Sequence, residues 1–472
     1  MNGTEGSSAA LVDATRNTSV ALARTLGVTG VLFLTLSVTT PVSSLFVIVP
    51  GMLHVAGTGA IWAMMLAAIV CVATAYIYAE LSSVWPVAGG EYVMVARTLG
   101  PLAGFMMLGV NVFNNLLFPP VLGLGLSAVL ARVIPGLPEV PLAIGVVAAA
   151  ALVALLQIRV NAWLTGLFLA VEVLAVVAVV ALGFADPQRS FVPMLTAPVI
   201  AVPDGLVSAT FSGIGLATSI AIFALNGYGA AVYFGEEMHQ APAKIGRTIL
   251  WALGLTLACE GVPMVAVLIG APDLGEVLAS DDPIGMLVAV RGGSGIAAWV
   301  SIGVAVAIVN AIIACILACA RFFYGTGRDR CWGRPVDAWL TVIHPRFASP
   351  WIATLLVGGA GIACCFVPLE LLLVLSGTGL IAIYVGIALA LIVGRRSGAL
   401  DRAPFRAPLY PAAPVITLVG LGYVVWLNWL DVGEGRPGLV MTGVQLGLSA
   451  AYYRFVLRRR GSWDVHVPLI AK

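Results

Sequence analysis

Two carboxylates interrupt long apolar runs of this chain. Glu172 lies in Leu169-Ala170-Val171-Glu172-Val173, and Glu260 lies in Ala258-Cys259-Glu260-Gly261-Val262-Pro263. Ionisable residues in such places are functional suspects by default. Either can bind and release a proton, or serve as a hydrogen-bond acceptor between helices. Two apolar runs are also broken by residues that a membrane helix does not need. The first holds Thr39-Thr40-Pro41-Val42-Ser43-Ser44, where Pro41 removes a backbone bond and the hydroxyls can re-satisfy the freed groups. The other holds Phe223-Ala224-Leu225-Asn226-Gly227-Tyr228-Gly229, where two glycines around a Tyr favour unwinding. A broken helix offers N–H groups and a positive dipole end to a carboxylate, and unwound carbonyls to an ammonium or a cation. Binding of a small solute is the chemistry these residue types support.

Other polar residues extend that set. Asn111, Asn114 and Asn115 precede Pro119-Pro120, and Asn111 and Asn115 share a helix face at i,i+4. They either line a cavity wall or bond neighbouring helices. Ser376 and Thr378 flank Gly377 in a later run and are gate candidates. Enzyme constellations are missing from the sequence. His54, His239, His344 and His466 are scattered at or beyond the ends of the runs. There is no Gly-Lys phosphate loop, no HExxH and no Gly-x-Ser-x-Gly. Seven cysteines give no disulfide framework, and Cys315 and Cys319 share a face without a His beside them. Neither a metal site nor a cofactor is expected.

The elements that must position these residues are membrane helices. Of 472 residues, 60% are hydrophobic and 10% charged, with a mean hydropathy of +1.04. A soluble domain has about 25% charged residues. Lipid is therefore the main solvent, and cytosolic enzymes, nucleic-acid binders and secreted disulfide scaffolds are excluded. The net charge of +2 recruits no polyanion. About twelve apolar runs are long enough to span, at 28–52, 58–82, 100–131, 140–158, 162–184, 211–234, 248–271, 296–323, 349–368, 370–393, 412–430 and 437–457. The runs are rich in Ala and Leu and lack the alternation of a barrel. Placing both termini in the cytoplasm leaves only Arg132, Arg189, Arg291 and Arg436 of the 24 Arg and Lys outside. The polar start of the chain is not a signal peptide. Loops are expected near 185–210, 272–295 and 324–348.

The two breaks fall in the first and sixth spans, five spans apart. An odd number of spans per repeat inverts the second half, and paired broken helices at matching positions mark a transport site.

Three stretches resemble the amino acid–polyamine–organocation (APC) superfamily of secondary transporters. The most specific is Tyr78-Ala79-Glu80-Leu81-Ser82-Ser83, Pro86, Ala88-Gly89-Gly90-Glu91-Tyr92, Arg97, Leu99-Gly100-Pro101 and Gly104-Phe105. A second is Phe223, Gly227, Gly235-Glu236-Glu237, Pro242, Ile245 and Arg247. A third is Asn310, Arg321, Tyr324, Arg328-Asp329, Pro335, His344-Pro345 and Ser349-Pro350.

The resemblance implies an all-α polytopic membrane protein with a LeuT-type five-plus-five inverted repeat and two extra C-terminal helices. Its repeats would cover 27–184 and 211–394 and its extra helices 411–458, between cytoplasmic tails 1–26 and 459–472. It implies alternating access around a site for an amino acid or related amine. Thr40, Val42, Ser43 and Ser44 match the part that meets the substrate carboxylate, with Pro-Val-Ser-Ser in place of the common Gly-Ser-Gly. Phe223 matches an occluding aromatic, with Leu225, Asn226, Gly227 and Tyr228 on the unwound turn behind it. Gly229 stands where several members carry a carboxylate. Some proton-coupled members carry a Lys near the position of Glu172, and a Glu cannot take over its charge. Glu80, Arg97, Glu236, Glu237, Arg321 and Arg328 fall at the cytoplasmic face, where they hold gate and topology.

The resulting expectation is a multi-pass transporter of the inner cell membrane, not an enzyme. It moves an amino acid or related amine, with proton symport as the first choice of energy source and amino-acid exchange as the second. Central segments without Arg or Lys suit a neutral amino acid. A polyamine or organic-cation carrier stays open, as does a sensor that binds without transporting. Nucleic acid is not an expected partner.

Overall fold

The computed structural model describes residues 22–133, 136–408, 410–433, 435–461, 463 and 465. The chain before residue 22 and from residue 466 onwards, which includes both termini placed in the cytoplasm above, lies outside the described residues. The first span is split into α1 (Val28–Thr39) and α2 (Pro41–Val47), and α3 (Val49–Ala56) continues it. Next come α4 (Ala60–Val84), the short α5 (Glu91–Leu99), α6 (Pro101–Val133), α7 (Glu139–Ala154) and α8 (Ile158–Ala185). After α9 (Phe191–Thr196) a hairpin pairs β1 (Val199–Val202) with β2 (Gly205–Ser208). The second broken span is α10 (Phe211–Ala224) followed by a 3-10 segment, Tyr228–Glu237. It leads into α11 (Ala241–Gly270), α12 (Leu274–Ala279), α13 (Pro283–Arg328) and α14 (Val336–Leu340). The chain then forms α15 (Trp351–Cys364), α16 (Leu369–Arg396), α17 (Ala412–Leu430) and α18 (Gly435–Tyr452).

Among the described residues, 9 stretches are long and apolar enough to cross a bilayer. The fourth and ninth expected spans, α7 and α15, are apolar but only 16 and 14 residues long. The last expected span, α18, is less apolar than the others. Two expected loops carry structure. Residues 272–295 hold α12 and the start of α13, whose course turns at Gly293 with φ +74°. Residues 185–210 hold α9 and the hairpin, whose strands pair from Val199↔Ser208 to Val202↔Gly205. The hairpin is pinned to the turn before α4, where the backbone N–H of Val199 donates to Thr58 Oγ1 at 2.8 Å.

The helices pack in a regular pattern. α11 lies on α4 and α8, α13 on α6 and α8, and α16 on α6 and α5, while α10 lies on α4. α1 is surrounded by α8, α11 and α13. Helices in lipid associate through close van der Waals contact, which small residues allow. A Cβ on Gly183 would sit 2.4 Å from the carbonyl oxygen of Ala266, and one on Gly270 would sit 2.3 Å from that of Gly183. Backbone therefore meets backbone between α8 and α11. Inside the spans, Thr hydroxyls such as those of Thr35, Thr39 and Thr256 donate to the carbonyl four residues back, which satisfies them without a neighbour.

Candidate functional site

Proline disfavours the α conformation in the residue before it. Thr40, before Pro41, accordingly turns to φ 52°, ψ 49°, and α1 ends there. Pro41 then opens α2, where its missing N–H costs nothing. In the sixth span, Gly227 takes φ 111° and the chain leaves α10 for the 3-10 segment. The two breaks touch. A Cβ on Gly227 would lie 2.7 Å from Thr39 Cα, and Ser44 Oγ donates to the carbonyl oxygen of Ala224 at 3.4 Å.

Three cavities meet around this contact. One, of 90 Å³, is lined by Thr39, Thr40, Ser43, Ser44, Phe223 and Asn226, with apolar walls from Val38, Phe118, Val121, Leu122 and Ile308. A second, of 70 Å³, is lined by Tyr78, Glu91, Asn114, Asn115, Asn226, Gly227 and Tyr233. These two share Val38, Phe118 and Asn226. A third, of 450 Å³, runs from Phe223 past Thr378 and Tyr384 to Asp431 and Gly435. Phe223 is thus a wall common to the largest cavity and the cavity at the breaks. No Lys or Arg lines any of the three.

Most of the residues expected at the site converge here, and some do not. Ser43 Oγ is buried without a hydrogen-bond partner among the described residues. Val42, Leu225 and Tyr228 are buried but line none of the three cavities. Their side chains point into the packing behind the breaks, where Tyr228 stacks on Tyr384 with ring centroids 6.3 Å apart. Ser376 is also set back, its hydroxyl donating to the carbonyl of Leu372 at 2.9 Å. Thr378 lines the largest cavity and donates to the carbonyl of Gly438 at 3.0 Å. Asn115 faces the 70 Å³ cavity, whereas Asn111 does not line it.

Asn111 leads to a residue that appeared in the sequence only as part of a motif. Its amide donates to Glu91 Oε2 at 2.8 Å. Tyr233 donates to the same oxygen at 2.8 Å, and Tyr78 donates to Oε1 at 2.9 Å. Glu91 opens α5, between the candidate spans, and is 4% exposed. Burial pushes its carboxyl above the ordinary range, while its own backbone N–H and the three side-chain donors pull the other way.

The two carboxylates singled out in the sequence lie behind the cavities. Glu172 Oε1 accepts from Asn310 Nδ2 at 2.7 Å, and the same nitrogen reaches Ser37 Oγ at 2.9 Å. The other oxygen of Glu172 has no hydrogen-bond partner among the described residues. This group ties α8 to α1 and α13. Glu260, fully buried in α11, lies beside Ser44.

The charged residues of the motifs form a separate layer. Arg321 and Glu237 make a two-pronged ion pair, both side chains almost fully buried, with one prong at 3.1 Å. Arg328 pairs with Glu236 and approaches Asp329 at 3.3 Å. Tyr92 donates to Asp329 Oδ2 at 2.7 Å. Glu80 accepts from Arg395 Nε at 2.7 Å and from the backbone N–H of Ala407 at 2.7 Å. Among the described residues, no group of three or more His, Cys, Asp or Glu is placed to hold a metal ion.

Comparison with known proteins adds to this geometry. Residues 26–442 match a family described as Amino acid permease. A Mycobacterium tuberculosis protein known as an uncharacterized transporter is 29% identical over 421 residues, 86% of each chain. The branched-chain amino acid permease BcaP of Bacillus subtilis is 24% identical over 418 residues, 81% of this chain and 87% of its own. A methylthioribose transporter of the same organism is 24% identical over 416 residues, 80% of this chain and 85% of its own.

Proposed function

This chain belongs to the amino acid permease family, and on that premise we propose that it carries a neutral amino acid or a close amine derivative across the cell membrane by alternating access. Membership in that family makes it a multi-pass membrane transporter rather than an enzyme. The observation that carries the rest is the meeting of two helix breaks at one cavity. Broken helices at matching positions of two repeats mark the binding site of many secondary transporters. The packing supports a five-plus-five arrangement. α4 and α11 pack on each other, as do α6 and α13, and in each pair the members stand five expected spans apart.

Substrate placement follows from the walls. The hydroxyls of Thr40, Ser43 and Ser44 and the amide of Asn226 receive the polar end, and Val38, Phe118, Val121 and Leu122 receive an apolar side chain. The branched-chain specificity named for a relative fits such walls. Phe223 closes the site towards the largest cavity. Glu172, joined through Asn310 to the first span, is the leading carrier of a coupling proton, and Glu260 is the second. Both termini lie in the cytoplasm in this reading.

Uptake of a labelled amino-acid mixture into liposomes, with and without an inward proton gradient, tests it. Accumulation only with the gradient is the expected result. Uptake only into amino-acid-loaded liposomes, indifferent to pH, would replace symport by exchange. One observation favours a second reading, a cationic substrate. Glu91 faces the 70 Å³ cavity and no Lys or Arg lines it. Uptake of polyamines in place of amino acids would select that reading.

A further inference from the structure

Resting on this transport reading, we infer that Tyr384 is a positioning residue that turns the Asn226 amide so that its –NH2 group donates to an acceptor oxygen of the solute. Asn226 stands on the unwound turn of the sixth span, its backbone N–H held by the carbonyl of Phe223 at 3.2 Å. Its side chain faces both the 90 Å³ and the 70 Å³ cavities, so it lies on their common wall. Tyr384 reaches it from α16. The phenol O–H donates to Asn226 Oδ1 at 2.8 Å, and Tyr384 itself is 1% exposed. A buried phenol needs an acceptor, and of the two ends of an amide only the oxygen can supply one. The oxygen of Asn226 is thereby engaged. Its nitrogen is the end left for the two cavities that Asn226 lines.

Tyr384 has little freedom to let go. Its ring stacks on Tyr228 and meets the edge of Tyr78 at 6.0 Å between centroids. Tyr78 is in turn tied to Glu91 at 2.9 Å. The cluster joins α4, the 3-10 segment and α16, so three elements hold one amide in one orientation. A donor fixed in this way discriminates strongly. A site built to bond one polar group of its ligand rejects an analogue that lacks it, because the buried donor is left unpaired. Here the group read is a carboxylate or carbonyl oxygen, and the analogue rejected is the corresponding amine. The other end of the solute meets acceptors. Asn114 Oδ1 is buried without a partner among the described residues on the 70 Å³ cavity, where Glu91 also lies.

The test uses the full-length protein in liposomes, with labelled L-leucine as substrate and unlabelled L-leucine or isoamylamine, its decarboxylated counterpart, as competitors. The wild type should prefer leucine. Tyr384→Phe should raise the leucine KM about tenfold or more while kcat and competition by isoamylamine change less than threefold. Asn226→Ala should do the same, and the double variant should be no worse than either single one. Asn226→Asp keeps an acceptor for Tyr384 but offers oxygen to the cavity, so it should lose leucine and retain the amine. Equal losses for leucine and amine in Tyr384→Phe, or additive losses in the double variant, would show that Tyr384 only packs and would overturn the inference alone. A wild type that takes up no amino acid would overturn the transport reading and this inference with it.

Discussion

At the scale of single residues, the two carboxylates that the sequence singles out and the one it passes over behave differently. Glu172 and Glu260 read as anomalies because each interrupts an apolar run. Glu91 does not, since an acid at the first position of a helix is ordinary dipole chemistry. Its partners Tyr78, Asn111 and Tyr233 come from three other segments, and no local pattern announces their convergence. Two outcomes belong here. Glu172→Gln preserves an acceptor for Asn310 but cannot carry a proton. It should reduce gradient-driven accumulation at least tenfold and leave counterflow exchange within about threefold of wild type, as read by paired liposome assays. Glu91 should impose a pH dependence on stability. Its carboxyl is raised in the fold, so its contribution is fully present below the ordinary value of 4.5 and is lost as pH rises through the raised one. The melting temperature in detergent should decline over that window, and Glu91→Gln should remove that part of the decline.

At the scale of elements, both helix breaks were legible because proline and glycine act on their own backbone and their immediate neighbours. Thr40 leaves the helix at the residue before Pro41, and Gly227 adopts a φ that other residues resist. Side-chain direction on a broken turn follows no helical period, which is why the sequence does not show that Val42 and Leu225 lie behind the cavity. The hairpin at 199–208 does carry a signal, Pro203-Asp204-Gly205 at its turn between short apolar runs, but the runs are far too short to stand out beside the membrane spans. The glycines and prolines of 272–295 suggest a loop, whereas Gly293 bends a helix that continues on both sides. Gly227 offers an element-scale test. Gly227→Ala places a methyl 2.7 Å from Thr39 Cα and forces a side chain onto φ 111°. The backbone term alone is about 1–2 kcal/mol, and separation of the two breaks adds to it. The variant should lower both the melting temperature and leucine affinity, whereas Gly254→Ala, on a helix with open space around it, should lower neither.

At the scale of the whole molecule, the site depends on two layers that do not touch the solute. The backbone contact of α8 with α11 joins the helices that carry Glu172 and Glu260. The charged layer joins the end of the 3-10 segment to α13 through Arg321 and Glu237. Removing one partner of a buried pair strands the other charge, at a cost of about 3–5 kcal/mol. Arg321→Met should therefore unfold in detergent well below the wild-type temperature. The double variant Arg321→Met with Glu237→Leu should recover most of the loss, since no lone charge remains. Failure of the double variant to recover would mean that the pair does more than satisfy its own charges. The same pair also sets a problem of timing. Glu237 precedes Arg321 by 84 residues, so it leaves the ribosome first. At a synthesis rate of about 5–20 residues per second, roughly 4 to 17 s separate them. During that interval Glu237 lacks the partner against which it is buried, so the end of the sixth span can take its final packing only once the eighth has been made.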